Sequence, residues 1–378
     1  MSTPKKIKLK KIKKKKMKNV LNLTEQEPQD EQSLEKQCLD LYALIKESSD
    51  ILKIESDKFF AIKKCQSIRN KKELEQNNDN TLYPHLDDPN FNDKISMKKE
   101  FFDTKVEKFT RKQINNIEKE TNKICDPNRE FELRPHQMFV RNFLSFQTPY
   151  NSLLLFHGLG TGKTCSSISV CEEMRKYNKQ LGNNKKIIIV ASPTVQENYK
   201  LQLFDARKLK NINGIWNLKS CTGNTLLNEI NPMQMKGLSR DKIIQQINKI
   251  INQSYMFLGY TGFANYIGNV IQRNQPKNND NIKKRRNKIK SIRREFSNRL
   301  IVIDEVHNIR TVDGLKGTSE KFLELVTYSQ NIKLLLLTAT PMFNDYREII
   351  WLINLMNLND DRYPVILFHI KIFEHFFL

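Results

Sequence analysis

Long apolar runs are missing from this chain. No uninterrupted apolar stretch approaches the about 18 residues that a membrane helix needs. No bilayer span and no membrane partner are therefore expected. The basic N-terminus lacks the apolar core of a secretory signal, so secretion is not expected either. Cysteine is sparse. Cys38, Cys65, Cys125, Cys165, Cys171 and Cys221 form no C-x-x-C pair and no zinc-like spacing with histidine. That leaves core or surface thiols in a reducing compartment. Acidic residues are also short: 64 Lys and Arg face 42 Asp and Glu, a net charge of +22. Such an excess fits a polyanionic partner, nucleic acid first and an anionic surface second. A solvated lysine-rich surface from an AT-biased genome gives the same numbers.

What is present divides along the chain. Residues 1–18 hold ten lysines and little structure-forming pattern. This reads as a disordered arm, with nuclear localisation, nucleic-acid contact or plain solvation as its roles. Residues 19–125 read as a helical accessory region. Leu34, Cys38, Leu41, Leu44 and Ile45 recur at helical spacing, as do Phe101, Val106, Phe109, Ile114 and Ile117. The Asn/Asp/Pro-rich stretch 72–98 between them reads as a loop.

From about residue 130 the texture changes. Short β-type runs appear at Ser152–Phe156, Ile187–Ala191, Tyr255–Leu258, Leu300–Ile303 and Leu334–Leu337, separated by helical stretches. Branched apolar runs of this length suit buried parallel strands in an α/β fold. Residues 207–253 are polar and partly helical, and 273–298 form a strongly basic surface insertion.

Three motifs carry chemistry. His157-Gly158-Leu159-Gly160-Thr161-Gly162-Lys163-Thr164 follows the strand pattern NSLLLF and precedes a helical one. Strand, glycine loop and helix in that order make a Walker A phosphate cradle. The glycines permit the curled backbone, Lys163 reaches the β- and γ-phosphates, and the Thr164 hydroxyl ligates Mg²⁺. The strict pattern has glycine where His157 stands. RLIVIDEVH then runs a strand into Asp304 and Glu305. Asp304 is placed to hold Mg²⁺, and Glu305 to orient or deprotonate water. KLLLLTATP ends a further strand at Thr338, Ala339 and Thr340. ATP and Mg²⁺ are the cofactors these motifs call for.

HGLGTGKT, DEVH and TAT in this order resemble motifs I, II and III of superfamily 2 helicases. The resemblance extends over about 131–360. It implies a RecA-like α/β lobe, with the ATP site at the strands' C-terminal edge. Residues Arg134, Pro135, His136 and Gln137 resemble the segment that reads adenine in this family, so Arg134 and Gln137 join the nucleotide site. Ser192-Pro193-Thr194 resembles motif Ia and Tyr260-Thr261 motif Ib, which in the family touch the nucleic-acid backbone. His307, Thr338 and Thr340 take the coupling role between ATP and nucleic acid. Local phrases such as LRPHQMFVRNFL and LTATPMFNDYREIIWLINLM resemble helicase-like ATPases of large DNA viruses, including poxvirus nucleoside triphosphate phosphohydrolase I and the early transcription factor small subunit.

The implied reading is a nucleic-acid-dependent ATPase, helicase or translocase in viral transcription, sited in the virion or host cytoplasm. For a non-viral source it would sit in nucleus or cytoplasm. The alternative is an ATP-binding transcription factor subunit with little activity alone. The domain expectation is a lobe at 126–360 and an atypical tail at 361–378. Superfamily 2 motors carry a second lobe with an arginine finger. After TAT this sequence offers only Arg347 and Arg362, neither in a Q-x-x-R-x-x-R context. Truncation, a frameshift, or a partner supplying the second lobe are the expectations that follow.

Overall fold

The computed structural model describes residues 82–105, 131–158, 160–233, 237–273, 281–309, 316–342 and 347–362. The basic arm, the helical pattern of 34–45, the part of the accessory region from 106 to 124, and the tail from 363 lie outside these residues.

Two helices come first, α1 (Phe91–Met97) and α2 (Lys99–Phe102). The loop expected across 72–98 therefore contains a helix. Its turn is nucleated locally: Asp88 accepts from the Asn90 N–H and pairs with Lys94 at 2.6 Å, while Ile95 supplies the buried contact. Then follow α3 (Pro135–Phe143), β1 (Ser152–Phe156), α4 (Lys163–Gln180), β2 (Ile187–Val190) and α5 (Pro193–Leu203). A hairpin of β3 (Leu209–Ile212) and β4 (Ile215–Leu218) precedes α6 (Thr225–Ile230) and α7 (Arg240–Ser254). The rest is β5 (Tyr255–Leu258), α8 (Tyr260–Gln272), α9 (Asn281–Phe296), β6 (Leu300–Ile303), α10 (Lys316–Tyr328), β7 (Lys333–Thr338) and α11 (Arg347–Asn359).

The main sheet has five parallel strands in the order β1-β7-β6-β2-β5. All five strand readings from the sequence hold to within a residue at either end. The three central strands are buried on both faces, whereas the edge strands β1 and β5 are only partly covered. Ile187–Val190 and Leu300–Ile303 are wholly buried, and Leu334–Leu337 is fully enclosed. Burying each such side chain is worth roughly 1.5–3 kcal/mol, which favours uninterrupted branched runs over an alternating pattern. The β3–β4 hairpin is an addition to the partly helical reading of 207–253. Its two-residue connection is Asn213-Gly214, with φ of 53° and 85°. Asn-Gly is the pair that tolerates two left-handed residues in a tight hairpin.

The chain divides into two compact units, one spanning Asp88–Glu348 and one comprising residues 1–87 and 349–378. In the second, Arg362 pairs with Asp87. In the first, α2 packs on α3. The Phe101 and Phe139 rings meet edge to face at 5.1 Å, and Asn142 donates to the Glu100 carbonyl at 2.7 Å.

Candidate nucleotide site

The three motifs converge because of strand order. β7 lies between β1 and β6, with Phe156 level with Thr338 and Ile303 level with Leu336. The loop after β1, the carboxylates after β6 and the TAT after β7 therefore meet at one C-terminal edge, where ligands bind in open α/β sheets.

The glycine loop ends on the helix that it opens. Gly160 and Gly162 have φ of 77° and 84°, and Lys163 begins α4. A Cβ on Gly162 would stand 2.6 Å from Gln137 Nε2 and displace that amide, and the left-handed backbone strains any other residue there. His157 resolves differently. It is absent from the positive-φ residues, so that position accepts a side chain. Its ring meets His136 edge to face at 5.7 Å. Burial, then His136 and Lys163, push its pKa below the ordinary histidine value. Leu159 lies outside the described residues.

Gln137 ties the upstream segment to the loop. Its Oε1 accepts from the Arg134 N–H at 2.9 Å, and its Nε2 donates to the Gly162 carbonyl at 3.4 Å. His136 lies 3.1 Å from the Thr161 carbonyl. Arg134 is exposed at the start of α3. The family resemblance implies an adenine contact for Gln137. Here it also buttresses the phosphate loop, a role which only the fold reveals.

Lys163 Nζ is buried without a hydrogen-bond partner and stands 3.9 Å from Glu305. A buried ammonium in this state calls for an anion. With the left-handed glycines and the N-terminus of an 18-residue helix, it forms a cradle that fits a phosphate chain. The Asp304 carboxylate is buried and accepts from the Glu305 N–H at 2.9 Å. Thr164 and Asp304 are the hard oxygen donors suited to Mg²⁺, which takes few protein ligands beside phosphate and water.

Burial first, and the Glu305 charge second, hold the Asp304 carboxyl above the usual carboxylate range. The sign follows directly. The folded state binds this proton more tightly than the unfolded chain, so an ionised Asp304 costs stability and acidification through its folded pKa recovers it. Asp304→Asn should raise the unliganded Tm and abolish any Mg²⁺-dependent rise. Thermal denaturation with and without Mg²⁺ measures both, and an unchanged Mg²⁺ response would refute the assignment.

Beyond Asp304 the chain turns sharply. Glu305 has φ of 44°, a left-handed conformation unfavourable for a glutamate. The turn aims its carboxylate at both Lys163 and His307, the latter at 3.4 Å. His307 Nδ1 lies 3.1 Å from Thr338 Oγ1 and 3.5 Å from Thr340 Oγ1. Thr338 in turn donates to Glu305 at 3.5 Å and accepts from the Thr340 N–H at 3.0 Å. Glu305, His307, Thr338 and Thr340 thus form one connected network.

The nucleic-acid candidates separate. Pro193 and Thr194 are exposed in the first turn of α5, and Thr261 is exposed in the first turn of α8. Tyr260 turns inward instead. Its hydroxyl donates to the Asp304 carbonyl at 2.9 Å and accepts from Asn308 at 3.3 Å. It braces the acidic turn, a role that sequence reasoning missed along with that of Asn308.

The cysteine expectation needs correction. Cys165, the residue after Thr164, is joined in a disulfide to Cys221, which follows β4. Fifty-six residues separate the two, and the fold brings their Cα atoms to 5.2 Å. No spacing rule marks such a pair. Cys171 is a buried thiol as expected, and burial pushes its pKa up.

With this geometry in place, comparison with known proteins is decisive. Residues 136–363 match the SNF2-related domain, more than half of the chain. The chain belongs to the SNF2-related domain family. A protein named as a putative ATP-dependent RNA helicase in Acanthamoeba polyphaga mimivirus is 28% identical over 282 residues, covering 73% of this chain and 40% of that protein. Putative helicases of Invertebrate iridescent virus 3 and Frog virus 3 are 31% and 29% identical, over 61% and 58% of this chain and 21% and 20% of theirs. The chain spans less than half the length of these relatives. The expectation of a superfamily 2-like RecA lobe related to helicase-like proteins of large DNA viruses holds. No helix among the described residues is long and apolar enough to cross a membrane.

Proposed function

We propose that this chain is the nucleotide-binding lobe of a nucleic-acid-dependent ATPase, a helicase or translocase that serves transcription in a large DNA virus. Its place would be the virion or the host cytoplasm. The observation that carries the reading is the buried Lys163 ammonium, which has no hydrogen-bond partner and faces Glu305 at 3.9 Å across the glycine loop.

In this reading Lys163 and the loop N–H groups bind the phosphates of ATP, Thr164 and Asp304 hold Mg²⁺, and Arg134 and Gln137 flank the base. Mg²⁺, when bound, neutralises charge on the phosphates. Glu305 orients the attacking water and takes its proton. Nucleic acid lies along Pro193, Thr194 and Thr261. His307, Thr338 and Thr340 report its presence to Glu305. Tyr260 belongs to the acidic turn rather than to the nucleic-acid track.

The chain's limited share of its relatives supports a second reading for the isolated chain: ATP binding with slow turnover until a second lobe, in another segment or a partner, supplies an arginine. Steady-state ATPase assays with and without RNA or DNA test both readings. Nucleic acid should raise the rate of the wild type. His307→Ala should keep basal turnover within about threefold while losing that stimulation, because the histidine stands beside Glu305 at 3.4 Å and ties it to Thr338 and Thr340 without being the base itself. Wild-type ATP binding with no turnover under any condition favours the second reading. Stimulation retained in His307→Ala refutes the coupling role.

A further inference from the structure

The edge of the sheet opposite the ATP site carries charge that the hydrolytic reading leaves unused. Here β2, β5 and β6 begin, at Ile187, Tyr255 and Leu300. A four-residue strand puts this edge about 13 Å from the carboxylate turn. A ligand there therefore does not touch the phosphate cradle.

Two features join on this edge. The first is α9. Arg286, Lys290, Arg293 and Arg294 are exposed along it at i, i+4 and i+7/i+8. That spacing puts them on one stripe with a rise of about 6 Å per step. The opposite face packs inward through Ile292 and Phe296, both fully buried. Lys288 anchors it to Glu324 of α10, and Tyr266 of α8 bonds Glu295. The stripe thus sits on a fixed helix.

The second feature is a cleft of about 1120 Å³ between the C-terminal half of α4, the turn before β2, and α7. Lys179, Lys185, Lys186 and Lys249 line it, with Arg175 behind them. Among the described lining residues the one carboxylate is Glu229, already held by Arg175 and Lys179 at 2.7 Å each. Lys185 connects cleft to helix. Its ammonium donates to the Arg294 carbonyl at 2.7 Å and the Ser297 carbonyl at 2.8 Å. Burial, then the Arg299 charge, lower its pKa, and the Glu295 carboxylate opposes them.

We propose that this strip, from Arg286 along α9 into the lysine-lined cleft, is a second nucleic-acid contact that grips the phosphodiester backbone without reading sequence. It rests on the nucleic-acid-dependent reading above. The lining chemistry selects this occupant. Among the described residues that line it, the cleft holds no aromatic side chain and only two aliphatic ones, Ile187 and Ile250. Protein interfaces need an apolar or aromatic anchor, and base-reading single-strand sites need stacking rings. Cations and amides with neither suit a phosphate backbone. Contacts on both edges of the lobe would let it hold two stretches of one nucleic acid, or two molecules at once.

The test uses the full 378-residue chain and the triple variant Arg286→Glu, Lys290→Glu, Arg294→Glu. Binding to a 40-nucleotide single-stranded RNA and a 40-base-pair DNA, lengths of roughly several turns of helix, is measured against salt. The variant should bind at least about tenfold more weakly at low salt, and its slope of log K against log salt should flatten by about two to three. ATP affinity and Tm should not change. Arg286→Lys with Arg294→Lys should keep both affinity and slope, because phosphate contact needs charge rather than a guanidinium fork. The preferred nucleic acid is read from which probe loses more. A slope unchanged between the variant and a wild type that binds well overturns this inference alone. A wild type that binds neither probe overturns the nucleic-acid-dependent reading beneath it. If the variant loses polyglutamate binding but keeps nucleic-acid binding, the strip is a protein-docking surface and the proposal fails.

Discussion

Lys163→Met will weaken ATP binding by this chain without unfolding it. The wild type at ATP·Mg²⁺ a hundredfold above Kd should gain about 2.7 kcal/mol, a Tm rise of roughly 5–10 °C. The variant should lose from about half to most of that rise, with affinity about 10- to 100-fold weaker, because a charge-assisted bond to phosphate disappears. Its turnover should fall by more than about 10²-fold. The unliganded Tm is the second readout. Lys163 Nζ is buried with no hydrogen-bond partner, and its nearest carboxylate lies at 3.9 Å, a long pairing that stabilises little. Methionine keeps the volume and removes a desolvated charge, so the unliganded variant should melt at or above the wild-type temperature. A variant that melts lower while still binding ATP would mean the lysine is structural.

Glu305→Gln will separate binding from turnover. The amide preserves shape and hydrogen bonding but cannot take a proton. ATP affinity should stay within about threefold, while turnover falls by about 10²–10⁴-fold. Glu305→Gly serves as a control on the backbone. With φ of 44°, glutamate in this position costs about 1–2 kcal/mol relative to glycine, so the glycine variant should be inactive yet more stable. Activity retained in Glu305→Gln, measured by phosphate release, would reassign the base. A destabilised Glu305→Gly would show instead that the contacts to Lys163 and His307 outweigh the strain.

The site was legible where its chemistry is contiguous. A buried strand, a glycine loop and a helix occupy adjacent residues from Ser152 to Gln180. Their geometry is set by local backbone preference, and Gly160 and Gly162 adopt the left-handed conformations a phosphate loop requires. The same holds for Asp304 and Glu305 at the end of β6 and for Thr338 at the end of β7. The helix at Phe91–Met97 and the β3–β4 hairpin were less visible, because polar Asn-rich composition masked a two-turn helix and an Asn-Gly turn.

Non-local contacts were not legible. The mismatch at His157 looks like a defect in the loop, yet its φ shows that no glycine is needed there. Tyr260 matches a nucleic-acid motif, but its hydroxyl braces the Asp304 carbonyl across 44 residues. Cys165 and Cys221 read as thiols and are joined. The stripe on α9 is readable as charge, but not as the neighbour of a lysine cleft built from α4 and α7.

Sequence by itself determined the type of each core strand and the order of the motifs, because these depend on side-chain type and spacings of a few residues. Strand order was decided only in the tertiary structure. By setting β7 between β1 and β6, it brings Lys163, Glu305, His307 and Thr338 into one network. No local rule encodes that placement. It follows from burying both faces of a parallel sheet, a condition that the whole domain meets together.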